Sequence, residues 1–218
     1  MKIIFLDLDK TLINADYKLT VPENQFRLVV KKLLRKNICV GLCSDSAIIT
    51  LREWSCHLGL TGPIIAERGA VIWDPVQQTE NILNISGTAW FRSLREFFIN
   101  TIIQNFPGAT LIIGDATKFI KDKYLNPALT NEVFVINGFR VASFSFFACR
   151  PNEDWSALEP HPELLKRASM IVKKIIIAQN KKKEDLFWDE NSKYGILIVH
   201  EKTTEKWRGV SVVLNRFV

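Results

Sequence analysis

The segment Phe5-Leu6-Asp7-Leu8-Asp9-Lys10-Thr11-Leu12 sets two carboxylates two residues apart at the end of an apolar run that begins at Lys2. In an extended strand residues i and i+2 point to the same side, about 7 Å apart, so Asp7 and Asp9 can face one small ligand while Phe5, Leu6 and Leu8 stay in a core. A pair placed in this way can divide a phosphoryl transfer between its members. One carboxylate attacks, splitting a difficult displacement into two easier ones; the other carries protons, a role worth roughly 10²- to 10⁴-fold.

Two carboxylates alone also describe an ordinary solvated strand end, so the elements around them decide. Residues Pro22 to Lys36 carry Phe26, Val29, Val30, Leu33 and Leu34 at helical spacing. Ile38-Cys39-Val40-Gly41-Leu42-Cys43 is a continuous apolar run, as expected of a strand covered on both faces, and it ends in Ser44-Asp45-Ser46. A second helix, about Ala47 to Leu58, leads to a third strand, Pro63-Ile64-Ile65-Ala66. The order β-α-β-α-β implies a parallel sheet that binds ligands at the carboxyl ends of its strands, where Asp7, Asp9 and Ser44 all fall. A hydroxyl at Ser44 can donate to a phosphoryl oxygen; a serine there also serves as a turn residue or helix cap.

Asp-x-Asp-x-Thr after a buried N-terminal strand resembles the first motif of the haloacid dehalogenase superfamily. The resemblance implies Asp7 as nucleophile, forming an aspartyl-phosphate, Asp9 as acid/base, and Thr11 on the substrate side. It implies Mg²⁺ as cofactor, held by Asp7 and the backbone carbonyl of Asp9. Ser44, with Asp45 beside it, occupies the place of the second motif. Ile65-Ala66-Glu67-Arg68-Gly69-Ala70 looks like the Glu-Asn-Gly-Ala segment by which the Cof-type and the sucrose- or mannosyl-3-phosphoglycerate-phosphatase-like branches enter a large type-2 cap. Arg68 stands where Asn is usual, which makes it either a changed substrate contact or a tolerated turn residue. The third motif, a lysine at the start of a core helix, fits Lys206 in Thr203-Thr204-Glu205-Lys206-Trp207-Arg208, with Lys202 as its nearest rival. Lys206 would stabilise charge on Asp7 and on the phosphoryl group.

Between these parts the pattern changes. A helix over Thr88 to Phe106 precedes a strand over Ala109 to Ile113, and strands Glu132 to Ile136 and Phe139 to Phe147 flank Asn137-Gly138. Asn-Gly between two β-rich runs predicts a tight type I′ hairpin. A helix over Pro162 to Gln179 and strands near Leu186 to Trp188 and Gly195 to His200 complete the insert. The expected fold is therefore α/β: a Rossmann-like, doubly wound core over 1–83 and 194–218, and an α+β cap over 84–193. In the resemblance the cap excludes water and selects substrate; Lys118, Lys121 and Arg140 are candidate contacts, and surface solubility explains each equally well.

One part of the pattern is missing. The family's fourth motif, an Asp-rich loop after a further core strand, should follow Lys206, yet no acidic residue follows Glu205. Gly114-Asp115 with Asp122 lies upstream of Lys206, in the wrong order, and Asp115 reads as a turn or helix cap. The core is thus expected to be incomplete at its C-terminal side, with an open sheet edge that a second copy or a complementing chain could cover.

Composition sets looser bounds. With 218 residues, 47% of them hydrophobic and 24% charged, the chain can bury a real core in one large or two small domains. No apolar run reaches the ~18 residues of a membrane span; the longest, Val133 to Cys149, contains Asn137 and Arg140. Asp7 and Asp9 interrupt the stretch a signal peptide would need, and Cys39, Cys43, Cys56 and Cys149 show no Cys-x-x-Cys spacing. A cytoplasmic protein with reduced thiols is expected. The net charge of +6 favours anionic partners, and a small phosphorylated metabolite, such as a sugar phosphate or phosphoglycolate, meets that need. Lys181-Lys182-Lys183 runs straight into Glu184 and Asp185 as a solvated loop would, and no basic and aromatic array points to nucleic acid. Two function classes stand: a phosphomonoester hydrolase, and a binding protein or split-enzyme half without turnover of its own.

Overall fold

The computed structural model describes residues 2–14, 17–83, 85–115, 130–154 and 156–217. The chain divides into two compact units, Met1–Ile85 with Thr204–Val218, and Ser86–Thr203.

The first unit holds β1 (Lys2–Leu6), α1 (Glu23–Leu34), β2 (Ile38–Cys43), α2 (Ile48–Leu58) and β3 (Ile64–Ala66), followed by β4 (Val71–Asp74) and β5 (Thr79–Ile82). These strands form one five-stranded sheet in the order β1-β2-β3-β4-β5. β1, β2 and β3 pair in parallel, joined by α1 and α2, which is the α/β arrangement expected from the sequence. β4 and β5 add an antiparallel hairpin that the sequence reading did not anticipate. Its turn is closed by Asp74, whose Oδ1 accepts from the backbone N–H of Val76 and of Gln77.

The last helix of the chain, here α5 (Lys206–Phe217), belongs to this unit. It seats Val213 in a buried cluster with Cys43, Ile65 and Ile72, against which Ile3, Phe5, Val210 and Val212 also pack. Ile3 and Phe5 are alternate residues of β1, as the two-residue repeat of a strand requires for side chains on one face. Parallel pairing sets Leu6 beside Leu42 and Cys43 beside Ile65, so the strand ends carrying Asp7, Ser44 and Glu67 finish side by side.

The second unit has its own sheet, order β10-β11-β8-β7-β6, with β9 paired to β8. Its elements are α3 (Ile85–Asn105), β6 (Thr110–Gly114), β7 (Val133–Asn137), β8 (Ser143–Pro151), β9 (Leu158–Pro160), α4 (Pro162–Ala178), β10 (Leu186–Asn191) and β11 (Ile196–Glu201). Phe91, Phe98, Phe134, Phe144 and Phe146 are fully buried at its centre. Most of their ring contacts are edge-on or tilted, the arrangement aromatic quadrupoles favour. β11 pairs with β10 and β8, so the chain leaves this sheet only after Glu201 and not at 194 as expected.

The tight hairpin at Asn137-Gly138 is not formed. β7 ends at Asn137 and β8 begins at Ser143, and neither Asn137 nor Gly138 has a positive φ. Asn137 instead accepts from the N–H of Phe139, and Arg95 donates to the carbonyls of Gly138 and Arg140, holding a wider loop. Arg140 is 6% exposed and donates to Ser143 Oγ, so it builds this loop and is no outward lid contact. Lys118, Lys121 and Asp122 lie outside the described residues; Asp115 directly follows β6.

Among the described residues no helix is long and apolar enough to cross a membrane. All four cysteines are free thiols. Burial pushes Cys43 up to about 11 and Cys149 up to about 12, so both stay protonated and unreactive at neutral pH. Iodoacetamide at pH 8 is expected to modify exposed Cys56 first and to reach Cys43 and Cys149 only in denaturant, which peptide mass spectrometry would read.

Candidate active site

β1 stops at Leu6, one residue short of the first aspartate, so Asp7 and Asp9 sit on the loop leaving the strand and not on the strand itself. The loop is nonetheless held. Leu8, between them, is fully buried, and its carbonyl accepts from the N–H groups of both Leu12 and Ile13. Lys10 turns the chain with φ 60°, and Asp9 bridges to Ile13, which bridges on to Leu19. Anchoring one apolar side chain thus fixes the carboxylates on either side of it.

Each carboxylate has its own partners. Asp7 Oδ1 accepts from the N–H of Leu8 at 2.9 Å, and Asp7 Oδ2 from Lys206 Nζ at 2.8 Å. Asp9 Oδ2 accepts two hydroxyls, Ser44 Oγ at 2.9 Å and Ser46 Oγ at 2.7 Å. Lys206 is the first residue of α5, where a cation opposes the helix dipole. Asp7 offsets that local cost, and the pair, close to 40% exposed on both sides, stays reachable by solvent and ligand. Burial alone would lower the Lys206 ammonium; the hydrogen bond and charge of Asp7, with the charge of Asp45, outweigh it and raise the group above the ordinary lysine range. A raised value means that the pair's contribution is complete below the ordinary lysine pKa and fades only as pH climbs through the raised one. Lys206→Met should therefore lower turnover by about 10²- to 10³-fold, as loss of a preorganised charge does, while shifting the melting midpoint by only a degree or two, since an exposed pair adds little stability. Lys202, the rival, belongs to the second unit and gives its N–H to the Asp185 carbonyl.

The ends of β2 and β3 are stitched together behind this pair. Ser44 N donates to the Ile65 carbonyl, Arg68 N to that of Ser44, and Glu67 N to that of Ser46. Glu67, Arg68 and Gly69 all have positive φ, at 48°, 58° and 92°, a run of left-handed residues that turns the chain sharply from β3 to β4. The turn brings Arg68 to 3.6 Å from Asp45 Oδ2. Among the described residues the buried Asp45 Oδ1 has no hydrogen-bond partner.

Of the residues singled out from the sequence, Asp7 and Lys206 meet directly, Asp9 meets Ser44, and Asp45 meets Arg68. Thr11 is exposed and takes part through its backbone carbonyl, which accepts from Thr20 Oγ1. Ser46, which also meets Asp9, lies two residues after Ser44 as Asp9 lies two after Asp7, and that spacing is its only signal in the sequence. Among the described residues no three His, Cys, Asp or Glu side chains cluster as a metal cage. The oxygen-only donors at Asp7 and Asp9 nevertheless suit a hard cation that takes one or two carboxylates and fills its other positions with phosphate and water.

The family model of haloacid dehalogenase-like hydrolases matches residues 4–217. The chain belongs to that family. No curated protein matches it by sequence. Solved structures share the fold at low identity. A haloacid dehalogenase-like hydrolase from Bacteroides thetaiotaomicron is 15% identical with a TM-score of 0.60, over 99% of this chain and 76% of that one. A trehalose-6-phosphate phosphatase related protein is 12% identical with a TM-score of 0.55, over 97% and 73%. The C-terminal domain of C. albicans trehalose-6-phosphate phosphatase is 13% identical with a TM-score of 0.53, over 94% and 58%. In this haloacid dehalogenase-like hydrolase the matched stretch includes Asp7, Asp9 and Lys206.

Proposed function

We propose that this hydrolase is a Mg²⁺-dependent phosphomonoesterase, acting through an aspartyl-phosphate on a small phosphorylated metabolite of sugar-phosphate type. The observation that carries the reading is the Asp7–Lys206 bond, a carboxylate aimed and charge-balanced at the open end of a parallel sheet. Asp7, its oxygens held by Leu8 N–H and Lys206, attacks phosphorus as the bond from phosphorus to the substrate oxygen breaks. Asp9 delivers a proton to that departing oxygen. In the second half Asp9 takes a proton from water, whose oxygen attacks the phosphoryl group, and the Asp7 carboxylate is restored as phosphate leaves. Lys206 balances negative charge on Asp7 and on the phosphoryl oxygens throughout. Mg²⁺, bound by Asp7 and Asp9, would supply further charge neutralisation. The sugar-phosphate class draws on the trehalose-6-phosphate phosphatase domain and the trehalose-6-phosphate phosphatase related protein among the fold relatives.

The test is phosphate release from a panel of phosphomonoesters by the purified chain, with and without millimolar Mg²⁺ and with EDTA. Release that depends on the cation and favours sugar phosphates is expected. A folded chain that releases nothing from any ester sinks the reading.

A second reading has one observation in its favour. Among the described residues β1, which leads into Asp7, is an edge strand of its sheet, and Ile4 on it is 38% exposed. Unpaired strand edges invite another strand, so a second copy or a complementing chain would complete the site there. Sedimentation at assay concentration separates the two: an active monomer removes the second reading.

A further inference from the structure

Ser46 is placed too deliberately to be a turn residue. Its backbone N–H donates to Ser44 Oγ at 3.2 Å, its carbonyl accepts from Glu67 N at 3.1 Å, and its own hydroxyl donates to Asp9 Oδ2 at 2.7 Å. Serines after a strand usually turn the chain or cap the next helix. Capping is excluded here: α2 has Ala47 at its N-cap and no side-chain cap bond. The Ser46 hydroxyl therefore goes to a carboxylate 37 residues earlier in the chain and does nothing for its own helix.

Ser44 donates to the same oxygen of Asp9. A hydroxyl has only one proton to donate. If Ser44 turns that proton to a phosphoryl oxygen, as its place at the strand end invites, it must release Asp9. Ser46 would then be the group that keeps Asp9 in place. Both hydroxyls meet at Oδ2, and among the described residues Asp9 Oδ1 accepts no hydrogen bond, which leaves that oxygen to exchange protons with the leaving group and with water.

We infer that Ser46 is a positioning residue for Asp9, holding Oδ2 of the acid/base carboxylate so that Ser44 can serve the phosphoryl group during turnover. The inference rests on the phosphatase reading above, because only an acid/base at Asp9 needs to be held while a ligand engages Ser44. Ser46 touches neither phosphorus nor the transferred proton; it acts through Asp9.

The experiment compares Ser46→Ala, Ser46→Thr and Ser44→Ala with the parent chain. Ser46→Ala should lower kcat by about 10- to 100-fold, since a misplaced catalytic group costs that much, with KM for a phosphomonoester nearly unchanged. Ser46→Thr keeps the hydroxyl and should restore most of kcat. Ser44→Ala should raise KM as well as lower kcat. Melting midpoints within a few degrees of the parent would confirm that each variant is folded. A readout without substrate accompanies these rates: the side-chain carboxyl carbon resonance of Asp9, which Ser46→Ala should move and Ser46→Thr should return. A resonance that stays put, or a KM effect as large as the kcat effect, overturns the inference even in an active phosphatase. A parent chain with no activity whose resonance still moves upholds the hold on Asp9 and removes the phosphatase reading alone.

Discussion

Asp7→Asn is expected to bring Mg²⁺-dependent phosphate release down to the blank, a loss of at least about 10³-fold, because the nucleophile's charge and lone pair go together. The substitution is nearly isosteric, and the amide oxygen can still accept from Leu8 N–H as Asp7 Oδ1 does. Its NH₂ group then faces Lys206 Nζ, donor against donor, where an ion pair of 2.8 Å stood. Because that pair is about 40% exposed, water can take up the released ammonium, and the melting midpoint should move by only a degree or two. Asp9→Asn provides the contrast. It removes the proton carrier and leaves the attacking group in place, so its deficit should shrink on p-nitrophenyl phosphate, whose leaving oxygen needs little protonation. If Asp7→Asn keeps even a tenth of the parent rate in protein free of other phosphatases, the nucleophile lies elsewhere and the aspartyl-phosphate scheme fails.

The sequence located the side chains that meet at the strand ends more fully than the frame that carries them. Asp7, Asp9 and Ser44 could be placed because strand ends in a parallel sheet converge, and apolar runs locate strand ends to within a residue or two; Lys206 is reached only through its resemblance to the family's third motif. The limit of that reasoning shows at Asp7 itself. β1 ends at Leu6, and what orients the carboxylates is a loop pinned by buried Leu8, which no periodicity describes. Asn137-Gly138 failed for a similar reason. Its local turn preference is worth little beside two carbonyl contacts from Arg95, more than 40 residues away in sequence. The β4–β5 hairpin was hidden because Val71-Ile72-Trp73 is short and apolar, and a short apolar run does not say whether its neighbour lies parallel or antiparallel. Ser46 and Gly69 depend on residues that meet only after folding. Sequence spacing offers a hint for the first and none for the second.

Gly69→Ala should be among the most damaging single-methyl changes in the first unit. Gly69 has φ 92°, where an L-residue is strained, and a Cβ built there would lie 2.3 Å from the Glu205 carbonyl oxygen and 2.9 Å from its carbon. The atoms in the way are backbone and have no rotamer through which to retreat. Left-handed strain of about 1–2 kcal/mol and overpacking of about 1–3 kcal/mol together point to a loss of about 3 kcal/mol. For a cooperative unit of roughly a hundred residues that lowers the melting midpoint by roughly 10–20 °C. The displaced segment is the start of α5, one residue before Lys206, so the ammonium is carried away from Asp7 in whatever fraction stays folded. Turnover per folded molecule should therefore fall too, and added salt or osmolyte that restores the fold should not restore the rate. Gly209 faces Gly69 from α5 and is no freer. Its Cβ would meet Ile65 Cγ2 at 2.5 Å, a methyl fixed on the Cβ of a fully buried β-branched side chain, and Gly69 Cα at 3.1 Å. These contacts outweigh the up to about 1 kcal/mol of helix propensity that alanine returns. Gly108, with nothing within 4 Å of its Cβ, is the control and should tolerate alanine unchanged. Parent-like melting and turnover in Gly69→Ala would mean that the turn and the helix start do not hold each other, and that something else sets Lys206 against Asp7.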